Sequence, residues 1–217
     1  MGATPVIDRV KPISPEIAPD IADQDARQNN PTFVTLDEYR VIAETAEERL
    51  EYRNGEVFNM SGGSFAHSRI AANIGAFFIF SLRDTSFEVC NSDMRIWIPE
   101  FQCGTYADVL VINGEPEFNG TRTDEILNPS LIVEVLSPST QDYDRGEKFR
   151  KYRSIPSLSE YLLISQSEVY IEHYSKSEKS DIWQFQICDR IDQKISLPSL
   201  NIEIPLSEIY RRIIGIS

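Results

Sequence analysis

The chain has 217 residues, of which 41% are hydrophobic and 25% charged, and a formal net charge of −13. This composition is typical of a globular protein with a substantial core, and no run reaches the roughly 20 apolar residues of a membrane helix, so we expect no membrane partner. The negative charge argues against a non-specific nucleic-acid coat, and the three scattered cysteines suggest neither a zinc site nor a disulfide framework.

The N-terminal residues 1–31 contain five prolines and no sustained periodicity. They predict a flexible tail ahead of one domain over residues 32–217. Because they lack the charged-then-apolar order of a secretion signal, we expect a cytoplasmic protein. The domain should begin with a short helix in which Thr35 is the N-cap and Glu38 completes a capping box.

Asn54-Gly55 within LEYRNGEVFNM predicts a tight hairpin, with Glu56 at the first position of its second strand. A helix is expected over 65–83, with an apolar stripe and His67 near its start. The later elements predicted along the chain are a strand pair over 87–100 and 105–112, a buried strand over 131–136, a helix over about 145–154, short strands in SEYLLIS, VYIEHYS and DIWQFQI, and a closing helix in PLSEIYRRI.

Two of these predicted strands carry an acid among apolar residues. In LIVEVL, Glu134 shares a strand face with Ile132 and Leu136, and in TYADVLVI, Asp108 shares a face with Leu110. An ionised carboxylate on a buried face is costly unless a cation or hydrogen-bond donors meet it. Two such strands side by side would bring two carboxylates together, as a hard divalent cation requires. An ion pair with an arginine, or a place on an exposed sheet edge, is the competing interpretation of each acid alone.

The helix that follows Glu134 makes a locally basic segment in an acidic protein. Lys148 and Tyr152 are four residues apart and should face the same way, so that the lysine could stabilise charge at a scissile phosphate. Arg145 and Lys151 belong to the same segment and could contact substrate phosphate. A solvated amphipathic helix with a surface lysine is the alternative, and Asp142 is expected to be a helix cap, as is the neighbouring Asp144.

The motifs together resemble a known family. Y-x-x-G-E in the hairpin, a histidine at a helix start, ADVLVI, IVEVLSPST, DRGEK followed by tyrosine, and SEYLLI are similar to motifs of the Uma-type family. Members of that family, formerly a domain of unknown function, are described as restriction endonucleases of the PD-(D/E)XK nuclease superfamily. The resemblance covers residues 33 to 212.

The resemblance implies an α/β fold with a restriction-endonuclease-like core, in which α-helices flank a mixed central β-sheet and additional antiparallel strands are present. Asp108 and Glu134 match the two acids of the motif and would hold Mg²⁺ or Mn²⁺, with the carbonyl of Val135 as a further ligand. Glu56 matches the acid that precedes the core strands and would complete the metal shell or serve a second ion. His67 would lie at the edge of the site, as would Tyr152.

The chain departs from the motif at two positions. Ala107 stands where the motif has proline, and Leu136 stands where it has the catalytic lysine, so that Lys148 would replace that lysine from the helix. The implied function is a metal-dependent endonuclease that hydrolyses phosphodiester bonds in DNA, with weak and salt-sensitive non-specific binding.

Two other functions remain open at this point. One is a catalytically silent nuclease-fold module with a binding or regulatory role that could form a homodimer, which the net charge and the displaced lysine favour. The other is a hydrolase of a small phosphoester, which an acidic surface would suit better than long DNA.

Overall fold

The computed structural model describes residues 33–60, 62–177 and 181–216, so the predicted tail over residues 1–31 lies outside the described residues. The chain from Phe33 onward forms one compact unit. Its α-helices are α1 (Leu36–Thr45), α2 (Phe65–Leu82), α3 (Gln141–Tyr143), α4 (Phe149–Tyr152) and α5 (Leu206–Ile209). Its strands are β1 (Leu50–Arg53), β2 (Glu56–Asn59), β3 (Phe87–Asn91), β4 (Arg95–Ile98), β5 (Cys103–Tyr106), β6 (Val109–Asn113), β7 (Glu125–Ile126), β8 (Pro129–Leu136), β9 (Glu160–Ser165), β10 (Ile171–Lys176), β11 (Trp183–Cys188), β12 (Lys194–Leu197) and β13 (Ile202–Pro205).

Two larger sheets and one small hairpin organise the domain. The six-stranded sheet has the order β11-β10-β9-β8-β6-β3, and the five-stranded sheet has the order β2-β1-β5-β4-β7. Strands β8 and β9 run parallel while their neighbours pair antiparallel, so the central sheet is mixed. The predicted α/β architecture, with a mixed sheet flanked by helices, is confirmed.

The predicted strand pair over 87–100 and 105–112 exists, but both of its strands are broken, which the sequence reading did not foresee. Strands β3 and β6 pair in the six-stranded sheet, whereas β4 and β5 pair in the five-stranded sheet. One long hairpin therefore crosses from one sheet to the other. The crossing in its second arm falls at Ala107 and Asp108, and the backbone N–H of Asp108 donates to the carbonyl of Val133 at 3.1 Å.

The six-stranded sheet separates two hydrophobic clusters. On one face, α2 packs Ile70 and Ile74 against Val133 and Val135 of β8. On the other face, Ile132 and Leu136 of β8 meet residues of the five-stranded sheet and of α4. Because side chains alternate along a strand, Glu134 points to this second side. All eight residues of β8 are buried, as predicted for the core of this strand.

Local signals account for the N-terminal elements. Thr35 caps α1, and its side chain and that of Glu38 form the reciprocal capping box that the sequence predicts. Asn54 and Gly55 adopt the positive φ angles, 47° and 96°, of a two-residue hairpin turn. Ser64 caps α2 by accepting a hydrogen bond from the backbone of His67. The three cysteines are free.

Three elements differ from the prediction. The helix expected over 145–154 starts at Gln141 and contains a π-helical turn over Asp144–Lys148. The closing helix has a single turn, α5, and the β12–β13 hairpin that precedes it was not predicted. Helix α2 is long and apolar enough to cross a membrane by length and composition alone, a test that core helices of soluble proteins also pass.

Candidate active site

The two acids predicted to work together line one cleft. It has a volume of about 1220 Å³ and lies between α2, β3 and the start of the helical segment after β8. Asp108, Glu134, Lys148 and His67 all line it. Asp108 comes from the crossing between β5 and β6, Glu134 from the middle of β8, and Lys148 from the π-helical turn.

Hydrogen bonds hold the carboxylate of Asp108 on both sides. Its Oδ2 accepts a hydrogen bond from the backbone N–H of Val135 at 2.6 Å. Its Oδ1 lies 2.8 Å from Nε2 of His67. The first bond ties Asp108 to β8 immediately beside Glu134. The side chains of Asp108 and His67 remain 17% and 19% exposed, so a solute in the cleft can reach them.

Glu134 is buried and bound to two groups from the following helical segment. Its Oε1 accepts hydrogen bonds from the Tyr152 hydroxyl at 2.9 Å and lies 2.8 Å from Nζ of Lys148. Lys148 and Tyr152 therefore face the same way, as their spacing predicts. Nζ of Lys148 also donates a hydrogen bond to the carbonyl of Tyr106 at 3.0 Å, so the ammonium is held on β5 as well.

Two further buried acids surround the same ammonium. Nζ of Lys148 lies 3.6 Å from Oδ1 of Asp144 and 3.9 Å from Oε1 of Glu51. Glu51 is positioned by the hydroxyl of Thr105 and the guanidinium of Arg53, both of which donate to it. Lys148 is thus the shared cation of three carboxylates, which come from β1, β8 and the π-helical turn.

This crowding shifts the pKa values of the cluster. Burial raises the pKa of the Glu134 carboxyl well above its ordinary value, against the opposing effect of Lys148. Burial also raises the pKa of Asp144. Burial alone would lower the pKa of the Lys148 ammonium, but the surrounding carboxylates hold it well above its ordinary value. Burial acts to raise the pKa of Glu51 too, yet Lys148 and the two donors to Glu51 bring it below its usual value. Lys148 is thus one cation among three buried carboxyl groups, of which Glu51 also has Arg53 as a partner.

The donor set suits a hard divalent cation that is only partly held by protein. Within residues 33–60, 62–177 and 181–216, no three histidine, cysteine or acidic side chains stand ready to ligate one ion. Asp108 and Glu134 supply carboxylate oxygens, however, and Mg²⁺ is commonly held by one or two carboxylates while water completes its shell. The residues present therefore fit the metal that the resemblance implies.

The structure does not bring Glu56 into the cleft. Glu56 is exposed at the start of β2 and lines a different cavity, beside Arg150 and Lys151. The acid that β1 and β2 contribute to the site is Glu51, which sequence reasoning missed. The sequence pattern that identified Glu134 also applies to Glu51, whose carboxylate lies between the apolar Leu50 and Tyr52 of a buried strand.

The two basic residues predicted to contact substrate phosphate also lie elsewhere. Nε of Arg145 is 2.7 Å from Oε1 of Glu172 on β10, and Nζ of Lys151 is 3.0 Å from Oε1 of Glu147. Neither side chain lines the cleft. Asp144, which was expected to be a helix cap, is instead buried in the acidic cluster because the π-helical turn directs it inward.

Two buried polar atoms of the cleft lack a hydrogen-bond partner within the part of the chain that the structure describes. They are Nδ1 of His67 and the hydroxyl of Tyr143. Both side chains line the cleft beside the acids. Unpaired polar atoms of this kind are costly in a protein interior, and both lie on residues beside the acids of the cleft.

Comparison with known proteins confirms the resemblance. The Uma2 family, described as "Putative restriction endonuclease", matches residues 36–207. Two uncharacterized proteins of Synechocystis sp. are similar. The protein sll1609 is 41% identical over 144 residues, which cover 66% of this chain and 81% of that protein. The protein slr1290 is 38% identical over 177 residues, which cover 81% of this chain and 90% of that protein. The fold matches the crystal structure of "a putative nuclease belonging to DUF820 from Anabaena variabilis" with a TM-score of 0.67 at 17% identity, covering 82% of this chain and 97% of the other. The chain therefore belongs to the Uma2 family and has a nuclease fold.

Proposed function

We propose that this protein is a Mg²⁺-dependent or Mn²⁺-dependent endonuclease that hydrolyses phosphodiester bonds in DNA. The observation that carries the proposal is the meeting of Asp108, Glu134 and Lys148 in one cleft, with Glu134 Oε1 only 2.8 Å from the ammonium. The family description and the nuclease named in the Anabaena variabilis structure support it.

Asp108 and Glu134 would hold the metal ion, with the carbonyl of Val135 as a further oxygen donor. When bound, the ion supplies a water whose pKa is lowered toward neutrality and stabilises charge on the phosphoryl oxygens. The hydrogen bond from the backbone N–H of Val135 to Asp108 fixes the two acids relative to each other, so the chain keeps the pair together before any ligand arrives.

Lys148 has two roles in this proposal. It supplies a permanent positive charge near the developing negative charge of the transition state, and it neutralises the buried acids while the cleft is empty. Glu51 and Asp144 hold the ammonium in place. Tyr152 orients Glu134 through its 2.9 Å hydrogen bond.

Binding of DNA should depend on few cations. Arg49 lines the rim of the cleft with its side chain 44% exposed, and it contacts Asp93 at 3.5 Å, a surface ion pair that a phosphate can replace. We expect weak affinity that falls with salt, with a slope set by the few phosphates that these cations contact.

The experiment compares three substrates, each with wild type and one variant. Supercoiled plasmid, single-stranded DNA and the small diester bis-p-nitrophenyl phosphate are incubated with the full chain in Mg²⁺, in Mn²⁺ and in EDTA, beside Glu134→Gln. We expect nicking of DNA that requires the metal and is absent in Glu134→Gln. Cleavage of the small diester alone would instead support a small-phosphoester hydrolase, and turnover of none of the three would support a catalytically silent module.

A matched pair of variants tests the assignment of the third acid. Glu51→Gln and Glu56→Gln make the same chemical change in adjacent strands of one hairpin, but only Glu51 lines the cleft near Lys148. We expect Glu51→Gln to reduce nicking at least tenfold and Glu56→Gln to leave it within twofold of wild type. A larger loss of nicking in Glu56→Gln than in Glu51→Gln would show that Glu56 is the third acid of the site.

A further inference from the structure

Helix α2 exposes an unusual apolar face to solvent. Its inner face packs Ile70, Ile74 and Phe78 into the core. On the outer side, the residues Phe65, Ile79 and Phe80 are 69%, 60% and 68% exposed. The solvent-facing side of a helix in a globular domain normally carries polar residues, and clustered exposed apolar side chains mark an interaction surface.

The exposed residues follow a regular spacing. Phe65, Ala72 and Ile79 recur at intervals of seven residues, so they lie along one line of the helix. Ala72 lies midway between the two large side chains. If a second α2 packed antiparallel across a two-fold axis at Ala72, Phe65 of each helix would lie opposite Ile79 of the other. The stripe is therefore complementary to itself, as an isologous interface requires.

Charge also favours a second copy of the chain at this surface. The protein has a net charge of −13, yet residues 57–83 contain no aspartate or glutamate. Like charges oppose the approach of two copies, and this region adds no negative charge to that repulsion. Its side chains Arg69 and Arg83 are the basic groups on α2 and at its end, and Arg83 lies over the ring of Phe80 at 4.6 Å.

A lipid surface is a poorer occupant for the same face. Helices that bind membrane surfaces combine an apolar face with an opposite face rich in lysine and arginine. The opposite face of α2 is apolar and buried in the core through Ile70, Ile74, Phe78 and Leu82. Anionic headgroups would also meet a protein of strong negative charge.

We propose that the stripe formed by Phe65, Ala72 and Ile79 is the interface of a symmetric homodimer, in which the α2 helices of two copies pack antiparallel. Because Ala72 and Ile79 also line the candidate active cleft, the helix of each copy would border the cleft of the other. The two clefts would then lie side by side around the two-fold axis. This inference concerns assembly and does not depend on the proposed reaction.

Hydrodynamic measurements with two matched variants test the surface. Ile79→Glu places a charge on the stripe, whereas Ile182→Glu makes the same change at an apolar residue of similar exposure, 65%, just before β11 and outside the stripe. Sedimentation velocity over a hundredfold range of concentration should show a dimer for wild type and for Ile182→Glu, and a monomer for Ile79→Glu. Circular dichroism checks that each variant is folded.

Cysteine cross-linking tests the register independently. In a Cys90→Ser background, Phe65→Cys chains and Ile79→Cys chains are oxidised separately and as a mixture. Positions 65 and 79 are about 21 Å apart along one helix, so each variant alone should remain unlinked. Only the mixture should give a disulfide-linked dimer, while Ala72→Cys should link to itself.

Three results would overturn the proposal. Wild type could remain monomeric at every concentration. The dimer could survive Ile79→Glu or be lost in Ile182→Glu, which would place the interface elsewhere. A monomer that sediments with vesicles of phosphatidylcholine and phosphatidylglycerol, through a contact that Ile79→Glu removes, would assign the face to lipid.

Discussion

Replacing Lys148 with methionine should show how much the buried acids of the site destabilise the fold when their shared cation is removed. The ammonium is shared by Glu134 at 2.8 Å, Asp144 at 3.6 Å and Glu51 at 3.9 Å, all of them buried. Methionine fills similar space but leaves Glu134 and Asp144 without their cation, while Glu51 keeps its ion pair with Arg53. Removing one partner of a buried ion pair typically costs about 3–5 kcal/mol. For a domain of this size that corresponds to a fall of roughly 6–20 °C in Tm.

The loss should depend on pH with a definite sign. Burial already raises the pKa values of Glu134 and Asp144, and removing Lys148 raises them further. A carboxyl whose folded-state pKa is above its unfolded value stabilises the fold below the unfolded pKa, and that stability is lost as pH rises through the folded pKa. Lys148→Met should therefore be far less stable than wild type at pH 8 and approach it toward pH 5.

Lys151→Met is the matched control. Lys151 is buried in the same helical segment, but its partner Glu147 has a side chain that is 54% exposed and can be solvated when the lysine is gone. Thermal melts of both variants and wild type between pH 5 and pH 8 provide the measurement. A Lys148→Met protein whose Tm stays within about 2 °C of wild type at pH 8 would refute the view that Lys148 offsets a buried excess of negative charge.

Three smaller predictions follow from individual contacts. Tyr152→Phe, which removes a hydrogen bond to Glu134, should slow nicking about tenfold, equivalent to about 1.4 kcal/mol, while circular dichroism stays unchanged; an unaltered rate would exclude an orienting role. Gly55→Ala, at a φ of +96°, should destabilise the domain by about 1–2 kcal/mol in urea titrations, and a neutral effect would contradict the turn geometry. Thr35→Ala should lower Tm by about 2–4 °C by removing the capping box with Glu38, and Glu38→Gln should lower it less.

Features determined by neighbouring residues were predictable from the sequence. The capping box at Thr35 and the Asn54-Gly55 turn depend on residues within a few positions of each other. Glu134 was recognisable because a carboxylate in an apolar strand needs a compensating partner. The four-residue spacing of Lys148 and Tyr152 placed both on one side of a helical turn, and the structure puts both on Glu134.

Features that depend on distant pairing were not predictable in the same way. Glu51 and Glu56 belong to one hairpin, and although the apolar neighbours of Glu51 indicate a buried strand, the local pattern does not show that its carboxylate lies beside Lys148. The pairing of β1 with β5, in which Arg53 lies opposite Cys103, directs the side chain of Glu51 toward Lys148. Similarly, Arg145 is drawn to Glu172, an acid on β10 that is 27 residues away in sequence.

The break at Ala107 and Asp108 is a further case. The run TYADVLVI has the composition of one strand, but β5 and β6 join different sheets. The position of the crossing depends on β8, because the backbone of Val133 and Val135 provides the groups that bind Asp108. The same crossing exposes the Asp108 carboxylate to the cleft, so the bend in the hairpin is part of the site.

Nicking of supercoiled plasmid in Mg²⁺ by wild type and by Asp108→Asn, side by side, tests the central claim most directly. The substitution keeps the size of the side chain and retains an oxygen that can accept the hydrogen bond from Val135, so the fold should persist while the carboxylate charge is lost. We predict that wild type converts supercoiled to open-circular DNA and that Asp108→Asn does not. Equal nicking by the two proteins, or nicking that persists in EDTA, would contradict a metal-dependent nuclease site built on Asp108 and Glu134.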